Sequence, residues 1–385
     1  MKNGWQTKPL GELCEVLDHK RKPVTKRDRV AGAYPYYGAT GVQDYVADYL
    51  FDEPLVLVGE DGAKWESGEN TAFAVEGKCW VNNHAHVLRP MRNLLIDNWL
   101  IHYFHLSDLS EFVSGLTVPK LNQGNLREIP IPLPPLAEQR RIVGILDEAF
   151  EGLATAKANA EQNLQNARAL FESHLQAVFT QRGHGWREIQ LADVCERLHQ
   201  GLNTAGEKVK FYDEGYPIIQ TRNIDDGVVE LDNKIKFMCE ADWQLYKDKF
   251  RPEVGDVFFT NIGTIGKTAI VTEDRDYLIH WNIFKLRPRL EKITSEFLRY
   301  TLESLTLCGY FEKLQKGGTV DFVTKKMISE ALIYLPSLAE QKQIVATLDS
   351  LREETQRLES LYQRKLAALD ELKKSLLHRA FSGQL

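Results

Sequence analysis

The chemistry-bearing residues of this sequence raise one question first: whether any of them are spaced for catalysis. Gly263-Thr264-Ile265-Gly266-Lys267-Thr268 resembles a phosphate-binding loop, but that loop needs a glycine five places before Gly266, and Asn261 stands there. A turn between strands, presenting backbone amides and Lys267, fits the residues better. His84 and His86 alternate, as two metal ligands on one face of a strand would. No third or fourth ligand accompanies them at a recognisable spacing, so they read as two surface histidines. Glu371-Leu372-Lys373 has the Glu-x-Lys spacing of some nucleases but lies inside a long helical pattern, where it reads as a solvated face. Neither Gly-x-Ser-x-Gly nor Asn/Asp-Pro-Pro-Tyr/Phe occurs. The sequence therefore predicts no catalytic residue, no metal site and no cofactor held by this chain.

Binding chemistry is better represented. Loops of the first third carry Tyr36, Tyr37, Lys64, Trp65, Asn83, His84, Lys120, Asn122 and Gln123. Loops of the second half carry Gln220, Thr221, Arg222, Asn223, Asn261, Thr264, Lys267, Trp281, Asn282, Lys325 and Lys326. Asn and Gln can pair two hydrogen bonds with adenine and Arg with guanine, while Lys and backbone amides hold phosphates. These are candidate nucleic-acid contacts.

The elements that would position them follow from an internal repeat. Leu133-Pro134-Pro135-Leu136-Ala137-Glu138-Gln139 returns as Leu335-Pro336-Ser337-Leu338-Ala339-Glu340-Gln341, and ten of the fifteen positions from 133 to 147 are identical at a shift of 202. On the order of one match is expected by chance, so the unit is duplicated. Gly115 and Thr117-Val118 map onto Gly317 and Thr319-Val320 at the same shift, and Trp5, Leu10 and Cys14 recur as Trp186, Leu191 and Cys195.

After each repeated block, residues 136–180 and 338–382 contain no proline and carry apolar residues at steps of three and four. Ser337 with Glu340 predicts a capping box at the second start. About 45 residues at 1.5 Å each give a helix of roughly 65 Å with one narrow apolar stripe, which needs a partner helix. The Ala-rich first stripe and Leu-rich second stripe fit an antiparallel coiled coil with pseudo-two-fold symmetry; the alternative is that each helix packs on its own globular segment. Segments 5–133 and 186–335 read as mixed α and β. Strands are expected at Leu55-Val56-Leu57-Val58, Val257-Phe258-Phe259 and Ile283-Phe284-Lys285-Leu286, and helices at 94–106 and 293–308.

Composition agrees with a multidomain globular chain: 385 residues, 43% hydrophobic and 26% charged. The net charge of −6 removes bulk basicity as an argument for a polyanion partner. Segment 5–133 has 13 basic and 17 acidic residues and segment 186–335 has 21 and 24, so neither is basic alone. Five dispersed cysteines and no membrane-length apolar run point to the cytoplasm and to no membrane partner.

The repeated Leu-Pro-(Pro/Ser)-Leu-Ala-Glu-Gln block, the tail Leu376-Leu377-His378-Arg379-Ala380-Phe381-Ser382-Gly383-Gln384-Leu385, Ile219-Gln220-Thr221-Arg222-Asn223-Ile224 and Gly263-Thr264-Ile265-Gly266-Lys267 resemble the specificity subunits of type I restriction-modification systems. The resemblance spans essentially the whole chain. It implies an α+β chain with target-recognition domains at 1–133 and 183–335 and spacer helices at 134–182 and 336–385. It implies that each domain reads one half of a split double-stranded DNA site, while the helices set the spacing and dock two adenine methyltransferase subunits. S-adenosylmethionine would belong to those partners, and ATP and Mg to a restriction subunit if one joins. Gly59-Glu60-Asp61-Gly62-Ala63-Lys64 stands in the first copy as a more acidic variant of the Gly-Thr-Ile-Gly-Lys turn. Two other readings are a coiled-coil scaffold joining non-DNA domains, and the reader of a modification-only or phage-defence complex.

Overall fold

The computed structural model describes residues 5–385 apart from 116, 182, 226, 232–233 and 315–321. The repeat positions Gly317, Thr319 and Val320 lie outside the described residues. The chain forms two compact units, Met1–Gln162 with Tyr362–Leu385, and Asn163–Leu361. Each unit therefore takes one globular segment together with part of both long helices. The sequence boundaries near 133 and 335 mark where strand gives way to helix, and packing continues across them.

The two units share a topology. In the first, strands Cys14–Val16, Ala85–Pro90, Leu55–Gly59 and Ala72–Val75 lie in that order in an antiparallel sheet. In the second, Cys195–Gln200, Ile283–Pro288, Val257–Thr260 and Thr268–Ile270 do the same. A second sheet in each unit contains one parallel pair, Ala31–Gly38 with Lys78–Val81 and Tyr216–Ile219 with Leu278–Ile279. The central strands are apolar on both faces, as strands covered on both sides must be: Leu55 to Val58 and Val257 to Phe259 are fully buried. The expected helices are present as Asp97–Leu106 and Ser295–Leu307.

The long helices run Leu136–Gln181 and Leu338–Ser382. They pair antiparallel: in the first unit Lys157 Nζ meets Asp370 at 2.9 Å and Arg141 donates to the Leu385 carbonyl at 2.7 Å, and in the second Arg168 meets Glu359 at 2.8 Å. Such exposed ion pairs contribute little. Ala160 in the first unit and Ala167 and Thr355 in the second are buried along the helices. Each helix also packs on globular segments at both of its ends. Ile142 and Leu146 join Leu377, Ala380 and Phe381 in the first core; Leu175 joins Val345 and Leu348 in the second. The equivalent pairs Trp99–Phe381 and Phe297–Phe179 pack with tilted rings at 4.4 and 5.3 Å between centroids. Pairing with the other helix and packing on a globular segment, posed as alternatives by the sequence, thus occur together.

The repeated Glu-Gln pair has a structural explanation. Gln139 is fully buried; its Oε1 accepts from Ile96 N at 2.9 Å, and its Nε2 donates to the carbonyls of Leu94 and Pro134 at 2.9 and 2.8 Å. Gln341 repeats this with Thr294 N, Lys292 O and Pro336 O at 3.0, 2.8 and 3.1 Å. One amide so clamps the start of each long helix to the loop before a globular helix. Ser337 caps the second start, accepting from Glu340 N at 3.3 Å, but the Glu340 carboxylate accepts from Trp186 Nε1 at 2.8 Å, so it ties the helix to the other repeated residue. Gln139→Ala or Gln341→Ala removes the partner of one buried and two part-buried backbone groups and is expected to cost about 2 kcal/mol. Amide hydrogen exchange at Ile96 and Thr294 reads the effect locally, and unchanged protection there contradicts the clamp.

Candidate functional site

The loops at one edge of each central sheet are held by the same backbone bonds in both units. Glu60 N donates to His84 O at 2.8 Å, as Asn261 N does to Asn282 O at 3.1 Å. Leu121 N donates to Glu60 O and Val323 N to Asn261 O, each at 2.8 Å. Asn82 N donates to Tyr37 O at 3.0 Å, and His280 N to Ile219 O at 2.8 Å. Bridges Asp61–Lys120 and Ile262–Phe322 complete the match. One framework therefore carries Glu60, Asp61, His84 and Lys120 in the first unit and Asn261, Ile262, Asn282 and Phe322 in the second.

In the first unit the framework surrounds a buried charge cluster. Arg21 binds the carboxylates of Glu60 and, at 3.3 Å, Asp18, and donates to Ala85 O at 2.8 Å. His86 is fully buried, with Nδ1 2.6 Å from Asp18 and Nε2 2.7 Å from Leu121 O. Val87 N and Gln123 Nε2 also reach Asp18, at 2.9 and 3.1 Å, and Lys120 reaches Glu60 at 2.8 Å. Burial alone would raise the Asp18 carboxyl, but the His86 and Val87 hydrogen bonds and the Arg21 charge hold it below the ordinary aspartate value. The Glu60 carboxylate holds the Lys120 ammonium above the usual lysine value.

Asp18, Glu60 and His86 bring ligand atoms within 4.8 Å of one another, close enough for a metal ion. The Arg21 guanidinium already supplies the positive charge between the carboxylates, and Nε2 of His86 is committed to a carbonyl. The residues fit an internal ion network better than a metal site. The same bonding leaves the His86–Asp18 pair no free nitrogen with which to take a substrate's proton.

In the second unit, the turn Thr221–Asn223 is closed by a reciprocal cap between Gln220 and Asn223. Gln220 Oε1 also accepts from Arg222 Nη2 at 2.5 Å, and Thr221 Oγ1 reaches Ile262 O at 3.5 Å. The Gly-Thr-Ile-Gly-Lys run is a turn between strands, as expected. Its Lys267 Nζ bonds Ile224 O at 3.0 Å and Asp225 at 2.9 Å, so it braces the neighbouring loop where a free phosphate-holding ammonium was expected. Burial lowers the His280 imidazole, opposed by its Asn282 hydrogen bond and reinforced by the nearby charges of Lys236 and Arg222.

The structure thus gathers Asn83, His84, Lys120 and Gln123 on one face, with Asn122 capping helix Gln123–Glu128 through Asn125 N at 2.9 Å. It gathers Gln220, Thr221, Arg222, Thr264, Trp281 and Asn282 on the other, with exposed Lys325 and Lys326 on a short helix beyond Val323. Four expected surface residues are instead buried. Tyr36 accepts from Val24 N, Trp65 donates to Gly59 O, and Asn223 and Asn261 tie turns together. Tyr37 is half-buried beside Phe73, and Lys64 points to Glu69 at 3.4 Å. Of the two supposed surface histidines, only His84 is exposed, beside Asp61. Sequence reasoning missed Asp18, Arg21 and Gln43 and singled out Glu60 only as part of an acidic turn; the Oε1 of the exposed Gln43 accepts from Asn82 at 3.2 Å.

A family profile described as the type I restriction modification DNA specificity domain matches residues 2–165 and 183–365. The chain belongs to this family. The two matched stretches follow the internal repeat. A Haemophilus influenzae protein assigned as a type I restriction enzyme specificity subunit is 30% identical over 352 residues, covering 89% of this chain and 86% of its own. The fold is similar to that of a chain from a structural study of complex assembly and conformational transition in a type I restriction-modification system, with a TM-score of 0.74, 21% identity and coverage of 100% and 99%. It is also similar to the HsdS subunit from Thermoanaerobacter tengcongensis, with a TM-score of 0.59, 21% identity and coverage of 100% and 98%. The family fold is thus a repeated pair of mixed α and β segments with two long antiparallel helices.

Proposed function

We propose that this chain is the DNA sequence-specificity subunit of a type I restriction-modification complex, in which each globular segment reads one half of a bipartite duplex target. The observation that carries this reading is the repeated framework bearing unlike side chains: the same backbone bonds place Glu60 and His84 in one unit and Asn261 and Asn282 in the other. Constant geometry with changed hydrogen-bonding groups is what two readers of different base sequences require. The antiparallel helices set the spacing of the half-sites, much as dimer geometry sets half-site spacing in other DNA-binding proteins.

The chain acts as the non-catalytic reader, in the cytoplasm. Two DNA adenine methyltransferase subunits supply the S-adenosylmethionine chemistry, and a restriction subunit using ATP and Mg joins where present. Because neither segment is basic overall, strong duplex binding belongs to the assembled complex. Sequencing adenine methylation in a methylation-deficient host that expresses the chain with its methyltransferase tests the proposal. A split motif with fixed spacing is expected. A continuous motif, or methylation independent of this chain, contradicts it and favours the scaffold reading.

A further inference from the structure

Arg222 is the most informative difference between the two repeated frameworks. Strand Tyr216–Ile219 pairs parallel with Leu278–Ile279 as Ala31–Gly38 pairs with Lys78–Val81, with Ile219 opposite Ile279 and Tyr37 opposite Val81. The next four residues are therefore equivalent: Gln220-Thr221-Arg222-Asn223 in one unit and Gly38-Ala39-Thr40-Gly41 in the other. In the first unit the space beside position 38 is taken by a neighbouring side chain, because a Cβ on Gly38 would sit 2.1 Å from Nε2 at the movable end of the exposed Gln43. Gln43 folds over that glycine and binds Asn82. In the second unit the space is filled by Gln220, whose amide oxygen accepts from Arg222 Nη2 and whose side chain also closes the turn.

The result is an exposed guanidinium on a rigid mount. Asn223 is buried beneath it, Glu230 N bonds the Asn223 carbonyl at 2.8 Å, and Lys267 pins the following residues. Only one guanidinium bond to a side chain, that to Gln220, accompanies this exposure among the bonds described. Trp281 at 38% exposure and the His280–Asn282 pair, hydrogen-bonded at 2.8 Å, lie on the same loop cluster. A planar fork whose orientation is biased by a neighbouring amide loses less rotamer freedom on binding, which favours recognition of a matching pair of acceptors.

We propose that Arg222 is a specificity-determining residue that reads a guanine, through its O6 and N7 acceptors, in the half-site of the second unit, and that the first unit has no counterpart at this position. The proposal rests on the DNA-reading function above. A phosphate would offer the same guanidinium two oxygens, and the test separates the two sources.

The experiment uses the full chain in complex with its methyltransferase, as wild type, Arg222→Ala and Arg222→Lys, on duplexes varied at each position of the motif. For a guanine contact, Arg222→Ala lowers discrimination at one guanine of one half-site by roughly 5- to 150-fold and leaves the other positions unchanged. Replacing that guanine by 7-deazaguanine, which lacks N7, weakens the wild type and leaves Arg222→Ala unaffected. Lysine does not restore the preference, because a point charge does not reproduce the fork. A loss equal for all sequences, restored by lysine and with a salt slope smaller by about one, overturns the proposal in favour of a phosphate contact. Unchanged binding and discrimination overturn it too. In both cases a split methylation motif still reports the DNA-reading function independently.

Discussion

Replacing Arg21 by alanine is expected to destabilise the first unit by about 3–5 kcal/mol. The side chain is 12% exposed and lies against carboxylates that are 5% and 9% exposed, so its removal leaves Asp18 and Glu60 buried with only His86 and Lys120 to offset them. Hydrogen exchange on strands Leu55–Gly59 and Ala85–Pro90 should accelerate, while Val257–Thr260 and Ile283–Pro288 keep their protection. A combined Arg21→Met, Asp18→Asn, Glu60→Gln variant should recover much of the loss, because no buried carboxylate is left without a counter-charge and the Lys120 ammonium, 42% exposed, can be solvated instead.

Acid provides a second check. The folded Asp18 carboxyl lies below its ordinary value of 3.8, so the unfolded chain takes up the proton first as pH falls. Its stabilisation is present above pH 3.8 and is lost as pH drops through the lower folded value. Without Arg21 that carboxyl binds a proton more readily, so acid should cost the variant less than the wild type. Equal stability of variant and wild type at neutral pH contradicts the cluster's role.

That cluster also marks the boundary of what the sequence reveals. The long helices are legible because apolar steps of three and four act locally, and the antiparallel pairing follows from one narrow stripe on each. The duplicated motif is legible as a motif, but the work of Gln139 and Gln341 is not, since their partners lie about 45 positions back along the chain. Arg21 meets Glu60 across 39 positions and Gln123 meets Asp18 across 105, and no local pattern announces such pairs. The misplaced site residues share one cause. Tyr, Trp and Asn serve equally as surface contacts and as buried groups with one satisfied polar atom. Only the fold distinguishes Tyr36 and Trp65, in the core, from Trp281 at the surface.

The repeated framework carries the largest functional expectation. If each unit reads its own half-site, the identity of one half-site resides entirely in residues 183–335, because the side chains at that framework come from its loops 219–224, 260–267, 280–283 and 322–326. The segment begins just after the first long helix ends at Gln181 and stops before the second begins at Leu338, and the blocks at 133–147 and 335–349 carry the same clamps in both copies, so the exchange leaves the helices intact. Replacing residues 183–335 by the corresponding segment of a family member with a different target should change one half of the methylated motif completely. The other half and the spacing should stay as they were. Effects at both halves would mean that the units do not read independently.

The decisive measurement is genome-wide sequencing of methylated adenine in a host carrying the methyltransferase with either the parent chain or the exchanged chain. Two split motifs that share one half-site and one spacing and differ only in the other half-site are expected. Two unrelated motifs, or an unchanged motif after the exchange, would contradict independent readout by the two units.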